Sequence, residues 1–260
     1  MNESAIRAAA AELLACEAGR RTRQPFTGSG PLTLEDAYAI QDETLRRRLA
    51  RGETLTGVKL GLTSVEKQRG AGVDTSIVAW LTDAMAVAGG DPVPCPRLVH
   101  PRAEPEIVFW LGRDLVGPGV TAAQAMAAVE WVCGGAEVPD SRWEGTGALV
   151  ADTVADDAGA AAYIVGPVRL RPDEIDLATE SVTVEIDGKT ADIGTGAAVL
   201  GHPGEALAQA ANVLGGRGLR LRAGQLVFSG AMANSFAVTP GATIRFRFEH
   251  LGSIDVVGEA

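Results

Sequence analysis

The sequence predicts an α+β fold, in which a helical N-terminal portion is followed by a β-rich remainder. Helical periodicity dominates residues 1–54, whereas short runs rich in Val and Ile, separated by Gly, Pro and Asp, follow from residue 55 onward. Of the 260 residues, 46% are hydrophobic and 22% are charged, which is typical of a globular chain that buries a core. We therefore predict a helical N-terminal subdomain over residues 1–54 and a β-rich domain over residues 55–260.

The helical portion consists of two helices joined by a loop. Residues 3–20 are rich in Ala, Leu and Glu, with apolar side chains at helical spacing. Thr33 is a candidate N-cap for a second helix over residues 34–51, because acidic residues follow it in the first turn. Gly52 is a suitable residue to end that helix.

The β-rich domain contains eight candidate strands and two further helices. The helices are predicted at residues 122–132, after Thr121, and at residues 204–215, after His202 and Pro203. The last candidate strand alternates apolar and polar side chains, which predicts one solvated face. The candidate strands are residues 56–62, 84–87, 104–111, 135–138, 161–165, 181–186, 225–228 and 243–248.

Charge and cysteine content narrow the range of partners. The chain has 23 basic and 33 acidic residues, and a net charge of −10 repels the phosphate backbone of nucleic acids. An anionic substrate therefore needs a local Lys, Arg or metal ion. Three widely spaced cysteines without a CxxC motif argue against disulfides and a zinc site. Because we find neither a signal-peptide pattern nor a membrane-length apolar run, we expect a soluble cytoplasmic protein that binds neither nucleic acid nor membrane.

Three acidic residues form the first candidate site. Glu104 and Glu106 are two positions apart, so a strand would carry both carboxylates on one face, and Glu137 ends another short candidate strand. Three carboxylates without a nearby His or Cys pair are suited to a hard cation such as Mg²⁺ or Mn²⁺. The alternative is a solvated face of an edge strand that Pro105 marks, and the spacing alone favours this alternative.

Lys59 is the second candidate, within the apolar run Gly57–Leu62. On an ordinary half-solvated strand this lysine would point to water, and taken alone that interpretation is favoured. The functional alternative is a partly buried ammonium group near the carboxylates, which could donate a proton or hold a substrate carboxylate. A pKa lowered by burial would be one way to suit that role.

Together these segments resemble the family of 2-hydroxypentadienoate (2-oxopent-4-enoate) hydratases and 4-oxalocrotonate decarboxylases, within the fumarylacetoacetase-like superfamily. The similarity extends over nearly the whole chain, with its motifs in the family's order. The motifs are AYAIQ (37–41), GVKLGLTS (57–64), GVD (72–74), LTDAM (81–85), HPRAEPEI (100–107), GPGVT (117–121), AEVPDSRW (136–143), DTVAD (152–156), GAAVLGHP (196–203), AG and SG (223–230), and LGS (251–253).

The resemblance implies a fold and a set of site residues. The expected fold is a fumarylacetoacetase-like mixed β-roll or barrel core with an N-terminal helical portion, and residues 55–260 would be the catalytic domain. The resemblance assigns Lys59 a catalytic role. It implies Mg²⁺ or Mn²⁺ as cofactor, held by Glu104, Glu106 and Glu137, and it implies substrate binding by Asp83, Arg142, Asp157 and Ser229.

The implied reaction is a metal-dependent lyase reaction on an unsaturated 2-oxo acid through a metal-stabilised enolate. The LTDAM, HPxxEPEI, GPGVT and PDSR motifs favour decarboxylation, as in 4-oxalocrotonate decarboxylases. The alternatives are a hydratase that adds water to a 2-hydroxy-2,4-dienoate, and a diverged biosynthetic member or non-catalytic partner subunit. Hydrolysis of an acylpyruvate is disfavoured because the early chain lacks a clear His-Glu pair. Family members commonly form homo-oligomers, and a decarboxylase and a hydratase of this family can associate, so a complex with such a partner enzyme is an alternative.

Several positions depart from the family pattern. Asp157 and Gly159 stand where members usually have Asn and Ser, so an amide donor is replaced by a carboxylate and a hydroxyl is lost. If these positions face the substrate, Asp157 would repel a distal carboxylate, which argues against 4-oxalocrotonate itself. Met232 and Phe236 are bulkier than expected and predict a reshaped pocket.

Overall fold

The computed structural model describes residues 1–260, with helices and strands in one mixed architecture. The helices are α1 (Glu3–Ala18), α2 (Leu34–Ala50), α3 (Val65–Ala71), α4 (Ala122–Met126), α5 (Val150–Ala155) and α6 (Pro203–Gly216). The strands are β1 (Leu55–Gly61), β2 (Ile77–Thr82), β3 (Arg102–Leu111), β4 (Val129–Pro139), β5 (Ala160–Val165), β6 (Ser181–Ile186), β7 (Lys189–Thr195), β8 (Leu226–Ala231), β9 (Phe236–Ala237), β10 (Thr243–Phe248) and β11 (Ser253–Val257). None of the helices combines the length and the apolar character that crossing a membrane requires.

Two sheets form the β-rich part. The larger has seven strands, in the order β2-β1-β8-β3-β4-β5, with β9 added alongside β3; the smaller has the order β11-β10-β6-β7. Only β1 and β8 pair in parallel. The large sheet curls into a half-barrel, because the segment after β2 bridges to its other edge strand, where the Val87 amide donates to the carbonyl of Tyr163 at 2.9 Å.

The two faces of the curled sheet are filled by separate clusters. Phe228 and Tyr163 pack edge to face on one side, with ring centroids 5.4 Å apart, together with Leu81, Met85 and Val108. The opposite face of the large sheet packs in the main hydrophobic core, which also contains apolar side chains of the small sheet and of α6. Such double-sided burial explains why several strands have continuous apolar runs without alternation.

The N-terminal helices share a core with the β-rich part. Asn2 and Thr33 cap α1 and α2 by accepting backbone amides in the first turn. Leu13 and Ile40 pack in one cluster with Trp143 and with residues of α5 and β2. The helices therefore cover one flank of the large sheet, close to its β2 edge.

Two predicted elements are wrong, and strands β2, β7, β9 and β11 and helices α3 and α5 were not predicted. The predicted helix over residues 122–132 is wrong in its second half, because residues from Val129 onward pair with β3 as strand β4. The predicted strand over residues 84–87 is also wrong: a single turn of 3₁₀ helix, Asp83–Met85, lies there, closed by the Ala86 amide on the Asp83 carbonyl. The strand of that region is β2, which is buried throughout and shows no alternation.

Candidate metal centre

Antiparallel pairing of β3 with β4 brings three glutamates together. Glu104 lies directly opposite Glu137, and Glu106 is two residues further along the same face of β3. Oxygens of the three carboxylates lie within 4.8 Å of one another. The edge-strand alternative is wrong, because β3 lies between β8 and β4 and Glu106 and Glu137 are each 1% exposed.

Burial makes these carboxylates costly to ionise. The pKa of Glu106 lies well above its usual range because of desolvation, with further increases from the charges of Glu137 and Glu104. Desolvation also raises the pKa of Glu137 to about 7, although the Lys59 ammonium opposes that shift. Glu104, Glu106 and Glu137, called the trio below, therefore need positive charge nearby if all three are to be ionised at neutral pH.

Lys59 supplies part of that charge. It lies on β1, is 4% exposed, and holds its Nζ 3.3 Å from Oε1 of Glu137, so the solvent-facing interpretation of this lysine is wrong. Burial alone would lower its pKa, but the charges of Glu137, Glu104 and Glu106 outweigh desolvation and raise it. The expectation of a lowered pKa is therefore corrected: the surrounding carboxylates raise the pKa of Lys59 and favour its ammonium form.

The trio fits a divalent cation. One ammonium faces three carboxylates, so the ionised cluster keeps two uncompensated negative charges in a buried place. Oε1 of Glu137 has no hydrogen-bond donor, and Oε2 of Glu106 accepts only the Gly230 amide, at 2.7 Å. Oxygen ligands with free lone pairs are the donor set that Mg²⁺ and Mn²⁺ take in proteins.

A second acidic group, Glu180 with Glu249 and His250, is of a different kind. Both oxygens of Glu180 are engaged, since Oε1 accepts the amides of His250 and Leu251 and Oε2 contacts the His250 ring at 2.7 Å. This carboxylate holds the turn between β10 and β11, and each of its oxygens already has a partner within the protein.

A strained turn at residues 157–159 borders the candidate centre. Asp157, Ala158 and Gly159 have φ angles of 52°, 46° and 71°, a left-handed run that costs about 1–2 kcal/mol per non-glycine residue. The Ala158 carbonyl accepts a hydrogen bond from Nζ of Lys59 at 2.6 Å. Oδ1 of Asp157 accepts the amide of Trp80 at 2.8 Å, on edge strand β2. Burial raises the pKa of Asp157 to about 6 against that hydrogen bond.

Arg142 lies beside this turn and is engaged by the protein itself. Its Nε donates to Asp156 Oδ1 at 2.6 Å, Nη1 donates to the Asp140 carbonyl at 2.8 Å, and Nη2 donates to the Asp156 carbonyl. Arg142 and Asp156 are both buried. The structure thus places the guanidinium under the turn, and its predicted contact with substrate stays a prediction.

Ser229 and Asp83, also predicted to bind substrate, lie at different distances from the trio. Ser229 is fully buried on β8 beside Phe228, the parallel-sheet partner of Lys59, and its hydroxyl has no hydrogen-bond partner. Asp83 is exposed beyond the end of β2, where its carboxylate accepts the Thr54 amide at 2.8 Å. It lies four residues past the strand partner of Lys59, about 13 Å away at the strand rise. The structure therefore brings Ser229, but not Asp83, near the cluster.

Two supporting residues were not predicted. Gly230 holds Glu106 through its amide and has a φ of 107°, and a Cβ there would lie 2.0 Å from Oγ1 of Thr63. Asp140 accepts the amides of Val99 and His100 at 2.8 and 2.7 Å, which fixes the chain as it enters β3. The sequence feature that could have identified these two residues is their position inside the SG and PDSR motifs.

A curled mixed sheet with three carboxylates on β3 and β4 and a buried lysine on β1 places the chain in a class of β-roll proteins that can hold a divalent cation. Within that class, the chain belongs to the family described as Fumarylacetoacetate (FAA) hydrolase C-terminal, whose model matches residues 56–257.

Individual relatives agree with this assignment. The chain is 40% identical to a 4-oxalocrotonate decarboxylase of Pseudomonas putida over 223 residues, 86% of this chain and 84% of that protein. It is 40% identical to a 2-hydroxypent-2,4-dienoate hydratase of Pseudomonas putida over 221 residues, 84% of this chain and 100% of that protein. The solved 4-oxalocrotonate decarboxylase from Pseudomonas putida G7, complexed with magnesium and adipate, superposes with a TM-score of 0.97 at 35% identity, covering 99% and 98% of the two chains.

These findings confirm the predicted family, the predicted fold and the predicted lyase class. The fold matches a solved decarboxylase over nearly its full length, and the relatives named above are decarboxylases and a hydratase. The predicted divalent cofactor also fits, since that solved relative is complexed with magnesium.

Proposed function

We propose that this protein decarboxylates an unsaturated 2-oxo acid with the help of Mg²⁺ or Mn²⁺. The observation that carries the proposal is the buried trio Glu104, Glu106 and Glu137 with protonated Lys59 against it. A metal bound there would offset the acidic charge and stabilise negative charge that develops on the substrate's 2-oxo oxygen. The identity with decarboxylase relatives and the decarboxylase-like motifs support CO₂ loss as the reaction.

Side chains of the protein itself would bind the substrate, donate a proton and exclude water. Lys59 is protonated, and its Nζ is held at a fixed place by the Ala158 carbonyl and by Glu137. It is therefore suited to bind the substrate carboxylate or to give a proton to the carbon skeleton after CO₂ leaves. The cluster of Phe228 and Tyr163 fills the same face of the sheet and excludes water on that side of the site.

Hydration of a 2-hydroxy-2,4-dienoate is the second candidate, since a hydratase relative shares 40% identity over 84% of the chain. Both reactions need the same stabilised negative charge on the 2-oxo oxygen, so the trio supports either. A diverged substrate in place of the standard oxalocrotonate stays an alternative, although Oδ1 of Asp157 already accepts the Trp80 amide. A partner subunit without activity is the least favoured alternative, because it has no need of a trio poised for a cation.

The proposal extends to organisation and location. The family model begins at residue 56, which supports a helical subdomain over residues 1–54 and a catalytic domain over residues 55–260. Three buried free cysteines suit a reducing cytoplasm. A cavity of about 510 Å³ lined by Leu45, Leu49 and Trp80 leaves apolar surface open, which supports a homo-oligomer or a complex with a related enzyme. Light scattering of the purified protein, alone and with the partner enzyme, tests this part.

The experiment that tests the function begins with protein stripped of metal by a chelator. Calorimetric titration with Mg²⁺ and Mn²⁺, with and without oxalate as a 2-oxo acid mimic, should show metal-dependent oxalate binding. Glu106→Gln should abolish it, whereas Glu130→Gln, an exposed glutamate on the same sheet, should not. CO₂ release from 4-oxalocrotonate and hydration of 2-hydroxypentadienoate are then compared. Binding that survives Glu106→Gln would refute the assignment of the site.

A further inference from the structure

The ammonium of Lys59 is held by two groups of the protein. One is Oε1 of Glu137, at 3.3 Å, and the other is the carbonyl of Ala158, at 2.6 Å. A lysine ammonium has three N–H donors on a flexible four-carbon stem, and the Ala158 carbonyl takes one of them, whereas the contact with Glu137 is an ion pair without a hydrogen bond. The direction of the remaining donors depends on where the Ala158 carbonyl sits.

The position of that carbonyl is set by the left-handed turn at residues 157–159. Isolated left-handed non-glycine residues relax unless surrounding contacts hold them. Here Asp157 is tied to β2 through the Trp80 amide, and the carbonyl of Gly159 accepts the Asp140 amide at 2.8 Å. The turn leads directly into β5, so the Asp157 contact connects β2 and β5, the two edges of the large sheet.

We infer that Asp157 is a positioning residue for Lys59. Its carboxylate anchors the turn to edge strand β2, the anchored turn aims the Ala158 carbonyl at Nζ, and Nζ is thereby fixed beside Glu137. This inference rests on the proposed catalytic role of Lys59. It also gives residue 157 a function that Asp and Asn share, because either offers an oxygen acceptor to the Trp80 amide.

The first test compares Asp157→Asn with Asp157→Leu, whose side chain has the same branched shape but is larger and offers no acceptor. Loss of positioning by about 1 Å lowers kcat by about 100-fold in Asp157→Leu, because small misplacements of a reacting group have that effect. KM and the dissociation constant for Mg²⁺ should stay within about threefold, and Asp157→Asn, which keeps an oxygen acceptor, should lose far less kcat than Asp157→Leu. Equal losses in the two variants, or wild-type kcat in Asp157→Leu, would overturn the inference.

The second test follows Lys59 directly and does not depend on turnover. The chain has only three lysines, and Lys67 and Lys189 are exposed, so they serve as internal references for amine acetylation followed by mass spectrometry. Lys59 should be protected in the wild type and in Asp157→Asn, and labelled faster in Asp157→Leu relative to both references. Unchanged protection in folded Asp157→Leu would contradict the inference.

A milder variant covers the case in which Asp157→Leu does not fold. Ala158→Gly keeps the left-handed conformation accessible but loosens the turn, so we expect several-fold lower kcat and faster Lys59 labelling in a folded protein. Wild-type labelling in this variant counts against the inference. If the wild type turns over no 2-oxo acid while labelling still depends on the acceptor at residue 157, the positioning stands and the proposed function fails.

Discussion

Two buried ion pairs lie on either side of the 157–159 turn and differ in how completely they are satisfied. Arg142 and Asp156 are joined at 2.6 Å, and both Oδ atoms of Asp156 accept hydrogen bonds, from Nε and from the Arg142 amide. Lys59 and Glu137 are 3.3 Å apart, and Oε1 of Glu137 has no hydrogen-bond donor. Exposure does not explain the difference, because all four side chains are at most 5% exposed.

The difference separates a structural pair from a functional one. A buried pair with every donor and acceptor used stabilises one conformation and has nothing left for a ligand. A buried pair with an unused oxygen next to two more carboxylates is unfavourable until a cation arrives. Both pairs join a basic and an acidic side chain, but one stabilises the fold and the other is suited to bind a cation. The degree to which their hydrogen bonds are satisfied distinguishes the two roles.

The largest expected effect comes from a substitution among the three glutamates beside Lys59. Glu106→Gln removes a carboxylate from the trio, and we expect kcat/KM to fall by at least about 10³-fold, because metal assistance contributes several kcal/mol. Above neutral pH the metal-free variant should nevertheless melt at a higher temperature than the metal-free wild type, because it has no buried carboxyl to ionise there. A variant that loses both activity and stability would show that Glu106 is structural.

Breaking the structural pair should give the reverse pattern. Arg142→Met leaves Asp156 buried and unpaired, which should lower the free energy of unfolding by about 3–5 kcal/mol in urea titrations. The matched control is Arg245→Ala, which breaks an exposed pair with Asp255 and should change stability little. If Arg142→Met unfolds like the control but loses substrate affinity, the predicted substrate contact of Arg142 is supported instead.

In the metal-free protein, Glu137 should make the free energy of unfolding depend on pH. The folded-state pKa of Glu137 is about 7, above its ordinary value of 4.5, so the native state holds more protons than the unfolded chain between these values. The contribution of Glu137 to the free energy of unfolding is therefore fully present below pH 4.5 and is lost as pH rises through about 7. The loss is about 1.4 kcal/mol for each unit by which the folded and unfolded pKa values differ.

Urea unfolding across pH 4–8 measures that decline. Glu137→Gln should flatten the profile, and saturating Mg²⁺ should do the same by favouring the ionised trio. A metal-free wild type whose stability rises over this range would contradict the assigned direction of the Glu137 pKa.

The smallest effect concerns Ser229. Its buried hydroxyl has no partner, so Ser229→Ala should raise the free energy of unfolding by about 1 kcal/mol. If the hydroxyl contacts substrate, as predicted, KM should rise several-fold in the same variant. A loss of stability would mean that the hydroxyl is satisfied within the folded protein.

Local patterns in the sequence predicted much of the fold and part of the site. The i, i+2 spacing of Glu104 and Glu106 placed both on one face of β3. Helical spacing located α1, and the N-cap Thr33 located α2, each to within two residues. The residue pattern grouped Glu137 with Glu104 and Glu106 only as one of two alternatives, and the family resemblance favoured that grouping. The proximity of Glu137 depends on the register between β3 and β4, which local periodicity does not encode.

Other features depended on tertiary contacts that no local pattern reveals. The start of β4 near Val129 was assigned to a helix, because an apolar run fits either structure until its strand partners are known. The burial of Lys59 follows from the curl of the sheet, and the left-handed turn follows from Asp157 meeting Trp80 across two sheet edges. Sequence alone favoured the solvent-exposed interpretation of both Lys59 and the glutamates for this reason.

The pairing of Glu104 with Glu137 restricts how this gene can change over evolutionary time. Adding or losing one codon inside β3 or β4 would turn every later side chain of that strand to the opposite face and scatter the carboxylates. Substitutions are tolerated far more easily, above all in the loops around the cluster. New chemistry on this scaffold should therefore arise through point changes, while length variation should be confined to the connections between strands.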